Sequence, residues 1–240
     1  MMGKTKASVT ALVLVIGVWG ILSFIYPPLV IPTIPSVCVK IVEIMTHADM
    51  LQIILVSFTR LITALTVGTI AGFAIGILCG KFTVFREITG PLIGVLQVIP
   101  PVALLILAIL WFGFNGKPAI FIASMAIFPI MVISVQHGIM NIDPKTLEMG
   151  ETFRLTKRSM FLDIIIPSIR PSLTSGWRIS LGLACKTMVM GEVLTTPTGI
   201  GGALSQARMN LEPETVIAWT VITVLIFYVI DWLTKGKRHA

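Results

Sequence analysis

Charge is scarce in this sequence. Only 12% of its 240 residues are Asp, Glu, Lys or Arg, about half the share carried by a soluble domain. Leu61 to Gly80 has no charged residue, and neither has Ile88 to Gly116. Each run is long enough to cross a hydrocarbon core of about 30 Å as a helix, which excludes a water-soluble globule with one core. Cysteine is scarce too. Cys38, Cys79 and Cys185 form no CxxC and share no ligand spacing with the three histidines. A disulfide framework and a metal site are therefore unsupported, and the cysteines read as small hydrophobes. No nucleophile or acid–base cluster suggests a membrane enzyme. Gly199-Ile-Gly-Gly lacks the Lys-Ser/Thr of a phosphate loop. No internal repeat or low-complexity tract is evident.

What is present is apolar: 55% of the residues are hydrophobic and the mean hydropathy is +0.96. The expected fold is an all-α polytopic membrane protein with about six transmembrane helices. The spans are expected at about Ala7 to Tyr26, Leu51 to Gly80, Ile88 to Phe112 with Pro100-Pro101 inside it, Pro118 to Gly138, Ser172 to Thr195 and Glu214 to Leu233. Pro27-Pro28 ends the first. That first run is long and lacks a clear A-x-A site, so it reads as an uncleaved span rather than a signal peptide. Ser36 to Thr46 is expected to form a short amphipathic surface helix.

The net charge of +7 does not suggest nucleic acid, because basic residues sit at the ends of apolar segments rather than on one face. With the N-terminus inside, Lys4, Lys6, Lys81, Arg86, Lys145, Arg154, Lys157, Arg158, Arg170, Lys235, Lys237 and Arg238 are cytoplasmic. Only Lys40, Lys117 and Arg208 lie outside. This bias fits the positive-inside rule and puts both termini in the cytoplasm of a multi-pass membrane protein. His137 and Trp19, Trp111, Trp219 and Trp232 are expected at interfaces or in helix packing.

Two features interrupt the apolar pattern. Gly68, Gly72, Gly76 and Gly80 recur every four residues, a ladder that lets helices approach closely in lipid. It serves either internal packing or a subunit interface; together with the resemblance below, it suggests an obligate dimer. Arg178, Lys186 and Glu192 lie along one broad side of the fifth span, and Arg60 enters the outer end of the second. Charges at that depth cost a few kcal/mol and face a bundle interior or an aqueous path. Lys186 and Glu192, with Arg178 and Arg60, are candidates for a translocation path. The competing reading pairs Glu192 with Arg60 or Lys186, while Arg178 snorkels to the inner surface.

Asn141 to Arg170 is a charged amphipathic island. Asp143-Pro144 reads as an N-cap and first helical residue, opening a helix to about Arg154. Thr156 caps a second, whose Met160, Phe161, Ile164 and Ile165 form an apolar stripe. Pro167 and Pro171 are expected to interrupt it. A mere connection needs far fewer residues, so the excursion reads as a docking element.

This loop resembles that of ATP-binding-cassette (ABC) importer permeases, which carry E-A-A, three residues, G, then about a dozen residues to an apolar-Pro pair. Here stand Glu148, Met149, Gly150, then Arg154 at the glycine position, then Ile166-Pro167. The stretch beginning Gly176-Trp177-Arg178 and running through Glu192 and Gly199-Ile-Gly resembles the branch serving nitrate, sulfonate, taurine and related substrates. Met149 and Arg154 depart from the pattern.

The resemblance implies a type I importer permease fold, read as one permease domain over 1–240 with a cytoplasmic coupling loop at about 141–171. It implies ATPase coupling through Glu148, Met149, Gly150, Phe153, Arg154, Leu155, Ile166 and Pro167. The implied partners are a second copy or related permease, two ABC ATPase subunits and an extracytoplasmic substrate-binding protein. ATP and Mg would belong to the ATPase, leaving this chain a non-catalytic transport subunit that binds no cofactor. Its cargo would be a small organic or inorganic anion or a vitamin precursor. The main rival is an ion-coupled secondary transporter, which favours inverted repeats and midplane carboxylates.

Overall fold

A computed structural model describes residues 2–235, with side chains for residues 10, 11 and 13–231. The expected anchoring by Lys4, Lys6, Trp232, Lys235, Lys237 and Arg238 lies outside the described side chains. Among the described residues every regular element is helical. The chain divides into two compact units, Met1–Leu55 with Pro197–Ala240, and Val56–Thr196.

The second unit carries most of the functional candidates. Its long helices are α3 (Met50–Lys81, entering the unit at Val56), α6 (Lys117–Met140) and α9 (Ile166–Thr195). Between α3 and α6 lie α4 (Thr83–Val98) and α5 (Pro101–Phe112); between α6 and α9 lie α7 (Pro144–Thr152) and the one-turn α8 (Lys157–Ser159). The glycine ladder explains how α3 meets α6. A Cβ on Gly72 would stand 2.6 Å from the Met131 Cβ, and one on Gly76 would stand 2.6 Å from the Val135 Cβ. Gly68 and Gly80 press in the same way on Ile127 and Ile139. Both helices advance four residues per contact, and their numbers rise together, so α3 and α6 run parallel. The ladder is consumed by packing within one chain, so of the two readings the sequence left open, internal packing holds and the subunit interface does not.

The parallel pair also fixes the path of α4 and α5. The expected third span, Ile88 to Phe112, is not one helix: α4 ends at Val98, α5 begins at Pro101, and their axes bend by 95°. Pro100 and Pro101 cause the break, since neither has an N–H and the residue before a proline is driven to extended backbone. Ile99 has φ −62° and ψ 125°. Hydropathy saw one apolar run because it is blind to direction. The pair must nonetheless carry the chain from the Lys81 end back to the start of α6. That start lies level with Arg60, whose guanidinium rests against Gly116. It is a broken span rather than a re-entrant loop.

Helix α9 runs back along α6. Gly138 faces Ile169 and Ser172, Gly176 faces Ser134, and Gly191 faces Ala119. Thus α6 is held between α3 and α9. Cys79, Ile93 and Val132 form a buried cluster of α3, α4 and α6. Val135, Ile142 and Ile169, with Leu147 against them, tie the loop to the same end.

In the first unit α2 (Ile34–Thr46), α10 (Gly199–Met209), α11 (Pro213–Lys235) and the start of α3 surround Ile200, Trp219 and Ile222, while α1 (Met2–Ile25) precedes α2. The expected surface helix is α2, capped by Thr33. Lys40 on it donates to Glu43 at 2.9 Å, and this bond holds its ammonium above the usual lysine range.

Among the described residues three helices have the length and apolarity to cross a membrane: α3, α6 and Pro213–Asp231 of α11, with mean hydropathies of 2.1, 2.3 and 1.9. The bent pair makes a fourth. In α1 the described apolar stretch is Val13–Ile25, while α9 has the length but carries Arg178, Lys186 and Glu192.

Candidate functional site

The loop between α6 and α9 is a helix, a tight turn and a second helix. The Asp143 side chain accepts from the Lys145 N–H and starts α7. Its C-terminus closes by a paired turn: the Leu155 N–H reaches the Gly150 carbonyl at 3.1 Å and the Arg154 N–H reaches Glu151 at 2.9 Å. That pattern needs a left-handed residue at its corner, usually glycine. Arg154 fills it with φ 52°, at a modest steric cost. Thr156 then caps the next helix, its side chain accepting from the Ser159 N–H.

The second half differs from expectation. Pro167 and Pro171 do not interrupt the helix. A π-helical turn, Met160–Ile165, joins α8 to α9 without a break. The Ile166 N–H bonds to the Phe161 carbonyl, five residues back. This widening comes just before Pro167, which lacks the N–H an α-helix would need and whose ring would strike the carbonyl four residues behind. Ile164 is buried, and Met160, Phe161 and Ile165 are half-buried, so the stripe faces inward as expected.

Gly150 is buried against this turn: a Cβ there would sit 2.7 Å from Ile164 Cδ1 and Met160 Cε. Glu148 is exposed, as are Met149, Phe153, Arg154, Leu155 and Pro167; Ile166 is half-buried. Phe153 shows 73% of its surface. The loop therefore presents large apolar side chains beside charges at the tip of a helical rod that continues through α9.

At the other end of that rod lies a buried ion pair. Arg60 Nη1 donates to Glu192 Oε1 at 2.7 Å, and Ser57 Oγ donates to Glu192 Oε2 at 2.7 Å. The Glu192 side chain has 0% exposure and Arg60 has 15%. Of the sequence alternatives, pairing holds for these two. Lys186 is exposed instead, flanked on the same face of α9 by Ile179, Leu183 and Leu194, while Arg178 is half-buried. The four charges are thus not one cluster.

Ser57 and Gly116 were absent from the sequence candidates. Ser57 stands one turn before Arg60 and so shares its face, a legible signal. The close fit of Gly116 to the guanidinium depends on tertiary packing and left no local signal.

Residues 72–236 match the model of the family described as binding-protein-dependent transport system inner membrane component. The chain belongs to this permease family.

Relatives agree along nearly its full length. It is 25% identical to the taurine transport system permease protein TauC of Escherichia coli (strain K12) over 235 residues, covering 95% of this chain and 86% of that protein. It is 27% identical over 230 residues to the putative aliphatic sulfonates transport permease protein SsuC of Bacillus subtilis (strain 168), covering 96% and 80%. A third similar protein is the putative ABC transporter permease MJ0413 of Methanocaldococcus jannaschii, 28% identical with 98% and 88% covered. The fold is similar to a chain of the inward-facing MetNI methionine ABC transporter, with TM-score 0.62, 13% identity, and 80% of this chain and 99% of that one covered. The protein is an ABC importer permease of the type I fold, a multi-pass membrane protein. The ion-coupled carrier is not favoured.

Proposed function

We propose that this permease forms the substrate path of a binding-protein-dependent ABC importer, and that it couples ATP hydrolysis by a partner ATPase to alternating access. The observation that carries this reading is the continuity of the helix from Lys157 through Thr195. Glu148, Met149, Phe153, Arg154 and Leu155 form the contact with the ATPase. Exposed apolar anchors beside a few charges suit insertion of a short helix into a groove. Gly150 lets α7 lie close to the π-turn, and Ile166-Pro167 joins that turn to α9. A displacement of the tip is then passed along about 45 Å of helix, the length of α9 at 1.5 Å per residue, to the end held by Arg60 and Glu192. Two states of the permease are biased by whether the ATPase pair is closed or open.

ATP and Mg reside on the ATPase; this chain binds neither and is non-catalytic. The two compact units act as one permease domain, paired with a second copy or a related permease, and an external binding protein delivers cargo. Both termini and the α6–α9 loop are cytoplasmic in the bacterial inner membrane. The cargo is a small anion, with sulfonates the leading class because relatives named for taurine and aliphatic sulfonates match most of the chain. Lys186 faces the path: a lysine uncovered at membrane depth is costly against lipid and favourable against water or an anion.

The test is co-purification with the partner ATPase. Glu148→Lys should insert normally, bring down less ATPase and lose substrate-stimulated hydrolysis. Unchanged assembly and coupling would remove Glu148 from the contact.

A further inference from the structure

The elbow between α4 and α5 borders a half-open cavity of about 300 Å³ against α6 and α9. Its size falls at the lower end of small-molecule pockets. It lies within one compact unit, where a span breaks at membrane depth. Irregular backbone at that depth persists only inside protein or beside a water-filled space.

Acceptors predominate among the polar groups of this wall. In a continuing helix the carbonyls of Leu96 and Gln97 would accept from the nitrogens of residues 100 and 101. Both are proline and have no hydrogen to give. Two backbone acceptors therefore stand at the C-terminal, negative end of α4, and both residues line the cavity. Thr187 lines it from α9, its hydroxyl within donating reach of Leu183 at 2.9 Å and Ala184 at 3.2 Å. Its oxygen lone pairs remain for a ligand. The Gln97 side-chain amide, exposed, adds a fourth acceptor and a donor. The remaining lining is apolar, Ile122, Met125 and Ile130 among it. A cluster of acceptors in an apolar wall suits an ammonium or other multiple N–H donor.

An anchor of opposite sign stands next to it. Leu183 and Thr187 both line the cavity, and Lys186 lies between them in sequence. At 100° per residue its side chain leaves α9 about 80° round from the direction those two share. Lys186 is not itself part of the lining but leaves α9 beside it. It is exposed, with a four-carbon stem to reach across the mouth.

We propose that the elbow is a substrate site within each permease subunit, and that it selects small zwitterions. The amine would be held by the α4 carbonyl end, Gln97 and Thr187, and the acid group by Lys186. This rests on the importer reading and narrows its cargo from anions in general to amino-sulfonates and amino-carboxylates of a few carbons.

The test uses the assembled permease–ATPase complex in nanodiscs, without its binding protein. Equilibrium binding is measured for taurine and β-alanine and for their deaminated counterparts, ethanesulfonate and propionate. At least one amino compound should bind, at least tenfold tighter than its deaminated partner. Ala126→Phe, which fills the cavity, should abolish that binding. Thr187→Val, nearly the same shape without the hydroxyl, should weaken it at least fivefold and keeps the test decisive should the larger residue disrupt folding. Lys186→Gln should weaken the amino acid and its deaminated acid alike. The proposal is overturned if neither amino compound binds, as when lipid or a partner's side chain fills the elbow. It is equally overturned if deaminated probes bind as well, or if Thr187→Val binds like the parent. Failure to recover any ATPase with this chain would instead remove the importer reading itself.

Discussion

Arg60 on α3 and Glu192 on α9 are joined by a 2.7 Å bond, with the Glu192 carboxylate wholly enclosed. Ser57 occupies its second oxygen. Two charges buried together stabilise little beyond well-packed apolar residues, but stripping one partner leaves the other uncompensated.

That asymmetry gives the first prediction. Arg60→Met and Glu192→Leu should each destabilise the detergent-solubilised protein by about 3–5 kcal/mol, whereas the double substitution should recover much of the loss. Thermal unfolding of the four proteins measures the coupling. Additive losses would show that the two side chains do not depend on each other.

The glycines divide into two classes. Gly72→Ala and Gly76→Ala would force a methyl to within 2.6 Å of Met131 or Val135, with backbone carbonyls 2.8 and 2.9 Å away. Losses of about 1–3 kcal/mol are expected, as in overpacked cores. Gly90 and Gly94 in α4 have nothing within 4 Å of an added Cβ, so alanine there should be neutral or favourable by up to about 1 kcal/mol. Expression and melting temperature across the four variants provide the comparison.

Arg154 offers a test in which two substitutions diverge. Its φ of 52° suits Arg154→Gly, which should leave stability within about 1 kcal/mol of the parent, since relief of strain offsets lost chain stiffness. Arg154→Val should be worse, because a β-branched residue at positive φ is a genuine outlier. Proteolysis of the exposed turn at Phe153 reports both. Equal cleavage of the two variants would argue against a left-handed corner.

Orientation is testable with and without engineered probes. Cys38 on α2 is exposed, whereas Cys79 is buried. An impermeant maleimide added to intact cells should label the native protein at Cys38, and Cys38→Ser should abolish the signal. In that background Pro213→Cys should restore labelling and Lys157→Cys should not. Labelling of Lys157→Cys from outside would invert the assignment.

Much of this molecule was legible in its residues. The expected spans matched α3 and α6 to within a residue or two, Asp143-Pro144 and Thr156 marked both loop helices, and opposite charges on two spans offered Arg60 as one of two partners for Glu192. What stayed hidden shares one cause: sequence patterns report local preference, not direction or neighbours. Pro100-Pro101 lay in view inside an apolar run, yet nothing local gave the bend of 95°. Pro167 and Pro171 read as breaks because a π-turn that re-registers the ladder has no compositional signature. The glycine ladder announced close approach without naming the partner, which is α6 of the same chain.

The burial of α6 has a consequence for biogenesis. It has the highest mean hydropathy of the three clear spans, 2.3, and the largest enclosed share, 56% of its apolar window. Of these three, the most apolar helix is thus the one its own chain covers most. It emerges from the ribosome before α9, so one flank must rest against acyl chains until α9 is made. Its oiliness serves that interval of membrane entry. The chain meets two solvents in succession, and α6 is written for both.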